Sequence, residues 1–210
     1  MGRRAGVSAE ETRTDLLDAA ARVFAAKGYD GASVADITAE AGLSSGSIYV
    51  HYGSKAELFV AVVQERALGA FAGLFGLTAA TAPDDLATAV GDLPTFLRTV
   101  GAALTPVGPG NATMGPLLVE AVVAAKRHPE IKRLVEAWLV EGEKDMSAAV
   151  VDGQRHGVVD GTVAIDALSR FVLMVSIGAR VLDALDLPEV GADGWVALID
   201  RLVDAVRAPS

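Results

Sequence analysis

Apolar side chains recur at helical intervals along the first 60 residues, and serines and glycines divide them into short blocks. Leu17, Ala20, Ala21 and Phe24 share one face (i, i+3, i+4, i+7). This predicts a helix that opens after Ser8, with Glu11 completing a capping box, and runs to Lys27, with Gly28 ending it. Val34, Ile37 and Ala41 form the next stripe; Ser33 caps it with Asp36 three residues on, and Gly42 stops it. Leu43 fills the hinge. Ser44 or Ser45 then caps a second short helix carrying Ile48, Tyr49 and Tyr52, closed by Gly53-Ser54. Ser54 with Glu57 opens a longer helix with Leu58, Phe59, Val62 and Val63, continuing to about residue 77. Two short helices joined by a Gly-containing turn are the helix-turn-helix pattern, whose second helix enters the DNA major groove.

The remaining chain keeps the helical period. Breaks fall at Thr81–Asp85, at the Pro- and Gly-rich stretch 105–113, at His128-Pro129, at Gly157–Thr162 and at Leu187–Gly194. Between them the pattern predicts helices over about 85–104, 113–127, 130–155, 163–185 and 195–207. No β pattern of useful length and no internal repeat occur. The expected fold is all-α with about nine helices, an N-terminal domain over 1–55 and a larger helical domain over 56–210.

Composition narrows the function. The chain is 51% hydrophobic, which allows a sizeable core, and has no cysteine, which excludes disulfides and thiolate metal sites. Residues 1–15 lack the apolar core of a signal peptide, and charges or glycines interrupt every apolar run short of a membrane span. A soluble cytoplasmic protein without a membrane partner is expected. The net charge is −9, yet residues 1–56 carry six basic and seven acidic side chains, so the acidic excess lies almost wholly beyond them. Phosphate attraction is local, screened over roughly 8–10 Å, so an acidic body held away from the duplex does not forbid binding. Residues 1–7 read as a flexible arm, with Arg3 and Arg4 within reach of phosphate or the minor groove. The only histidines are His51, His128 and His156; there is no HExxH and no Gly-rich phosphate loop after a strand. Glu141/Glu143 and Asp183/Asp186 read as solvated charge rather than paired acid–base groups. No catalytic residue, metal site or cofactor is therefore expected.

Residues 28–59 strongly resemble the signature of TetR-type transcriptional regulators, most specifically in the run Ser-Ile-Tyr-Val-His-Tyr-Gly-Ser-Lys (47–55). The resemblance is close over residues 10–60 and rests elsewhere on helix count and length. It implies a homodimeric repressor that leaves its double-stranded DNA operator when a small-molecule effector binds the C-terminal domain. Carried over by position, it implies that Ser33 and Lys55 meet phosphates. Ser44, Ser45, Gly46 and Ser47 would face the groove, with Tyr49 and His51 touching backbone or base edges, and Tyr52 would pack inside. The 44–52 segment has no Arg, Lys, Asn or Gln, so strong bidentate readings of guanine and adenine are missing from it. Serine hydroxyls, the Tyr and His edges, Val50 against a thymine methyl and DNA shape must then carry discrimination. His51 can gain a proton near neutrality and tighten the hold on phosphate.

Phe71, Phe75, Phe96, Met114, Leu118, Trp138, Met146 and Met174 are candidate linings of a ligand pocket, which suggests a largely apolar effector. Arg180 is the first polar candidate there, and Glu120 and His128 are two more. Phe171, Val175, Gly178 and Leu182, with Ile199, Leu202, Val203 and Val206, are expected to build a self-complementary four-helix dimer interface. The helix from Ser54 would connect pocket to DNA reader. Two rival readings are a helical ligand-binding protein without specific DNA binding, and an enzyme.

Overall fold

The computed structural model describes residues 8–73, 98, 114–183, 185 and 191–209. Among these residues there are eight helices: α1 (Ala9–Gly31), α2 (Val34–Ala41), α3 (Gly46–Tyr52), α4 (Lys55–Gly73), α5 (Met114–Arg127), α6 (Pro129–Arg155), α7 (Ile165–Asp183) and α8 (Ala192–Ala205). The β pairing among them is an isolated bridge between Val159 and Arg207. The all-α expectation therefore holds. The helix expected over 85–104 lies outside the described residues except for Arg98.

The caps follow the sequence closely. Glu11 N–H donates to Ser8 Oγ at 3.1 Å while Ser8 N–H donates to Glu11 Oε2 at 2.7 Å, which closes the capping box of α1. Ser33 and Asp36 repeat the arrangement at α2. Gly42 takes the left-handed conformation (φ 67°, ψ 31°), and Leu43 N–H returns to Thr38 O at 2.9 Å. At α4, Glu57 N–H donates to Ser54 Oγ at 3.1 Å. The expected cap of α3 is different. Ser45 enters the helix with φ −58° and ψ −28° and makes no side-chain cap bond. These angles are already helical, whereas a capping serine needs extended backbone to aim its oxygen at the first turn. Ser44 instead brings its hydroxyl within 3.3 Å of that of Ser47.

The described chain forms two compact units, residues 1–66 with 116–137, and residues 67–115 with 138–210. In the first, Leu16, Ala20, Phe24, Ile37, Ile48, Leu58, Phe59, Val62 and Val63 are fully buried, joined by Leu117 and Ile131 from α5 and α6. Each large side chain so placed contributes about 1.5–3 kcal/mol. The unit around the helix-turn-helix thus extends beyond residue 55, because α4, α5 and α6 supply part of its core.

In the second unit Val150, Val159, Leu168 and Val172 form the centre, with Met146, Val175, Trp195 and Val206 packed against it. Buried Ser169 is satisfied: Ser147 Oγ donates to its hydroxyl at 3.1 Å, which donates to Ile165 O at 2.7 Å. Asp160 N–H donates to Val206 O and Ala208 N–H to Val158 O, pinning the segment after α8 to the α6–α7 turn.

Candidate nucleic-acid interface

The helical period divides α3 into two faces. Ile48 and Tyr52, four apart, point inward at 0% and 8% exposure. Tyr49 and Val50 stand out at 58% and 80%. Ser44, Ser45 and Gly46 are exposed, and Ser47 and His51 are half-buried. The Tyr52 hydroxyl donates to Arg13 O at 3.2 Å. Burial pushes its pKa up to about 12, so Tyr52 packs inside as expected. The α3 surface contains no guanidinium, ammonium or carboxamide.

The two expected phosphate anchors are already engaged. Ser33 Oγ donates to Asp36 Oδ2 at 2.7 Å and accepts Asp36 N–H at 3.0 Å. Lys27 Nζ lies 2.7 Å from the same carboxylate. Lys27, together with the Ser33 hydroxyl and amide, holds the Asp36 carboxyl far below the usual carboxylate range. Lys55 Nζ donates to Tyr29 O and Ala32 O, each at 2.9 Å, and lies 4.2 Å from the centre of the Tyr29 ring. Two of its three N–H groups therefore close the end of α1.

Every cation among residues 8–66 has a partner. Arg13 lies 3.7 Å from Glu10 and over the Tyr52 ring. Arg22 meets Glu40 at 2.8 Å, and Arg66 meets Asp18 at 2.6 Å. Arg3 and Arg4 lie outside the described residues.

Glu120 and His128 are placed at the corner that ends α1. Gly28 has φ 68° and ψ 177° and interrupts the helix. Tyr29 N–H, released from the helical ladder, donates to Glu120 Oε1 at 2.6 Å. A Cβ on residue 28 would lie 3.0 Å from that oxygen. Asp30 takes Arg127 at 3.0 Å and His128 Nε2 at 2.6 Å, and these two partners, His128 first, hold its carboxyl below the usual range. This cluster joins positions 91 and 98 residues apart, which no local pattern shows. The available hint was Gly28 before an aromatic residue: a left-handed break frees a backbone donor that something must accept.

The pocket candidates are dispersed. Phe75 and Phe96, and the side chains of Phe71, Met114 and Arg180, lie outside the described residues. Leu118 is buried in the first unit. In the second, Trp138 is half-buried, Met146 packs on the core and Met174 is 58% exposed. The interface candidates also divide. Ile199 and Val203 are buried within the chain, and Val175 and Val206 lean on its core. Phe171, Leu182 and Leu202 are exposed, and Gly178 has open space where a Cβ would stand. Among the described residues no group of acidic or histidine side chains is placed to hold a metal, and no helix is long and apolar enough to cross a membrane.

A short helix held inward by two side chains, behind a Gly turn and a capped partner helix, defines the helix-turn-helix class. Residues 16–62 match the family described as bacterial regulatory proteins of the tetR family. The chain is 39% identical over 66 residues to the HTH-type transcriptional regulator SrpR of Pseudomonas putida, a match that spans 31% of each chain. It is 28% identical over 168 residues to the HTH-type transcriptional repressor DhaR of Mycobacterium sp. (strain GP1), covering 80% of this chain and 79% of that one. A solved transcriptional regulator from Saccharomonospora viridis, in complex with choline, superposes with a TM-score of 0.65 at 17% identity, over 96% of this chain and 100% of that one.

Proposed function

We propose that the chain is a homodimeric transcriptional regulator, a repressor that leaves its operator when a small, largely apolar molecule binds the C-terminal domain. The observation that carries this reading is the two-faced α3 within the matched segment: Ile48 and Tyr52 hold it while Ser45, Gly46, Tyr49 and Val50 are offered outward. Serine hydroxyls freed from capping α3 serve as donors to phosphate or base edges. Val50 meets a thymine methyl, and His51 reaches the backbone. Ser33 joins a phosphate by redirecting a hydroxyl now held by Asp36, and Lys55 does so with its third N–H. The second copy covers Phe171, Gly178, Leu182 and Leu202, to which exposed Met174 and Leu198 add area. The effector is expected among the apolar helices of the C-terminal domain, where Trp138 and Met146 remain candidates for its lining. Displacement of α4 by the effector changes the spacing of two reading helices, and by reciprocity DNA weakens effector binding equally. The protein works in the cytoplasm and performs no chemistry on its ligand.

Selection of duplexes from a randomised pool tests this. The expected product is a two-fold symmetric site with half-sites roughly 34–36 Å apart. A pool without enrichment overturns DNA recognition; an enriched single half-site overturns the dimer. In the selected site, discrimination per base pair is modest, and several guanines each costing about 3 kcal/mol would contradict the lack of bidentate side chains.

A further inference from the structure

We propose that Glu120 is a positioning residue for the DNA-reading helix: from α5 it fixes the α1 corner at Tyr29, and that corner, through Lys55, fixes the end of α3. The inference rests on the proposed DNA recognition for its consequence, but not for its geometry.

The Tyr29 residue is gripped on its backbone from both sides. Its N–H donates to Glu120 Oε1 at 2.6 Å, and its C=O accepts from Lys55 Nζ at 2.9 Å. The residue is 5% exposed, and its ring packs on Phe59 at 5.1 Å and on His128 at 5.0 Å between centroids. Lys55 is the first residue of α4 and follows directly on Gly53-Ser54, which close α3. Ser54 N–H donates to Tyr52 O at 2.8 Å, so the recognition helix and the Lys55 anchor are separated by a single tight turn. Three successive polar links therefore run from α5 to α3.

Nothing local can replace Glu120. A buried backbone N–H without an acceptor costs about 1–3 kcal/mol, and Gly28 has already withdrawn Tyr29 from the helical ladder. The carboxylate fills the space beside Gly28 that a side chain would take. Without it the corner relaxes toward a geometry that satisfies Tyr29, and the two carbonyls that orient Lys55 move with it.

Two measurements on the full chain test the proposal, using Glu120→Gln, which keeps an acceptor oxygen without the charge, and Glu120→Ala. The first is amide hydrogen exchange without DNA. The expected result is about 3-fold or greater acceleration in segments 29–32 and 53–58, larger for Ala than for Gln, with α2 unchanged. Uniform acceleration across the unit, or none at 53–58, overturns the proposal and leaves Glu120 as ordinary packing. The second is affinity for a duplex selected by the native protein. Glu120→Gln is expected to weaken it about 3- to 10-fold, and in a Lys55→Met background by less than about 2-fold, since both act through Tyr29. Additive losses overturn the relay. If the native protein selects no duplex, the DNA reading fails, and the exchange result alone decides the positioning claim. If Glu120→Ala does not fold, Glu120→Gln decides each arm.

Discussion

The two compact units differ in what they do with charge and with apolar surface. Around the helix-turn-helix the cations are held, Arg22 on Glu40, Lys27 on Asp36, Arg66 on Asp18 and Lys55 on two carbonyls, and the exposed apolar side chains are Tyr49 and Val50 on α3 and valines such as Val122 on α5. The second unit, by contrast, shows water a row of Phe171, Met174, Gly178 and Leu182 on α7, with Leu198 and Leu202 on α8. Water-exposed apolar rows of this kind mark interaction surfaces. The first unit has little spare positive charge to offer a polyanion, while the second exposes the apolar row. In the proposed dimer, affinity for DNA comes mainly from presenting two weak readers together, and only secondarily from either reader alone.

The largest expected effect breaks the apolar side of that comparison. Leu182→Glu with Leu202→Glu should yield monomers in sedimentation, with affinity for the selected duplex lower by about 100-fold or more. A persisting dimer removes the row from the interface. Val175 is a poor choice for the same purpose, because it packs on the chain's own core and its loss would unfold the unit.

Salt sharpens the polar side. With every cation of residues 8–66 partnered, only Arg3 and Arg4 of the N-terminal 66 residues stand outside the described pairs. Those two arginines with Lys55, whose third N–H meets a phosphate in the proposed complex, correspond to a slope of log K against log salt of about −5 for a dimer. Deletion of residues 1–7 should flatten it, whereas a native slope near about −8 would mean that the ion pairs open on DNA.

A smaller effect is expected from His51. Binding should be a few-fold tighter at pH 6 than at pH 8 at constant salt. His51→Gln should abolish the difference; an unchanged pH profile refutes the role.

The smallest effect concerns stability alone. The Asp36 carboxyl is depressed on folding, so its contribution is present above its unfolded value of about 3.9 and is lost as pH falls toward the folded one. Asp36→Asn should lower the melting temperature by a few degrees at pH 7, and the two proteins should converge as the pH drops below about 4. A constant gap at pH 3 would place the loss in packing instead.

Much of the first unit was legible in the sequence because its signals are local. Ser8, Ser33, Gly42 and Ser54 each act on backbone within four residues, and the 3.6 period marked Ile48 and Tyr52 as inward. Ser45 misled because a helix can be entered from helical backbone, and its angles depend on the turn before it. The cluster of Glu120, Arg127 and His128 on Gly28–Asp30 was illegible as a site because its partners are brought together only by the fold. Lys55 looked like a phosphate anchor because its position matched one; that two carbonyls occupy it follows from the same corner. In the second unit the period found the helices but not which apolar residues face inward, since α7 and α8 are apolar on more than one side.

α3 has only seven residues, too few to hold a helical shape in isolation. Its order is lent to it by Ile48, Tyr52 and the corner behind Lys55, while its outward positions contribute almost nothing to folding. Residues 45, 46, 49 and 50 are in that sense a replaceable cartridge. If they read DNA as proposed, they can be rewritten to address a different sequence while the frame that aims them stays intact, provided that the two inward side chains and Gly53 are kept.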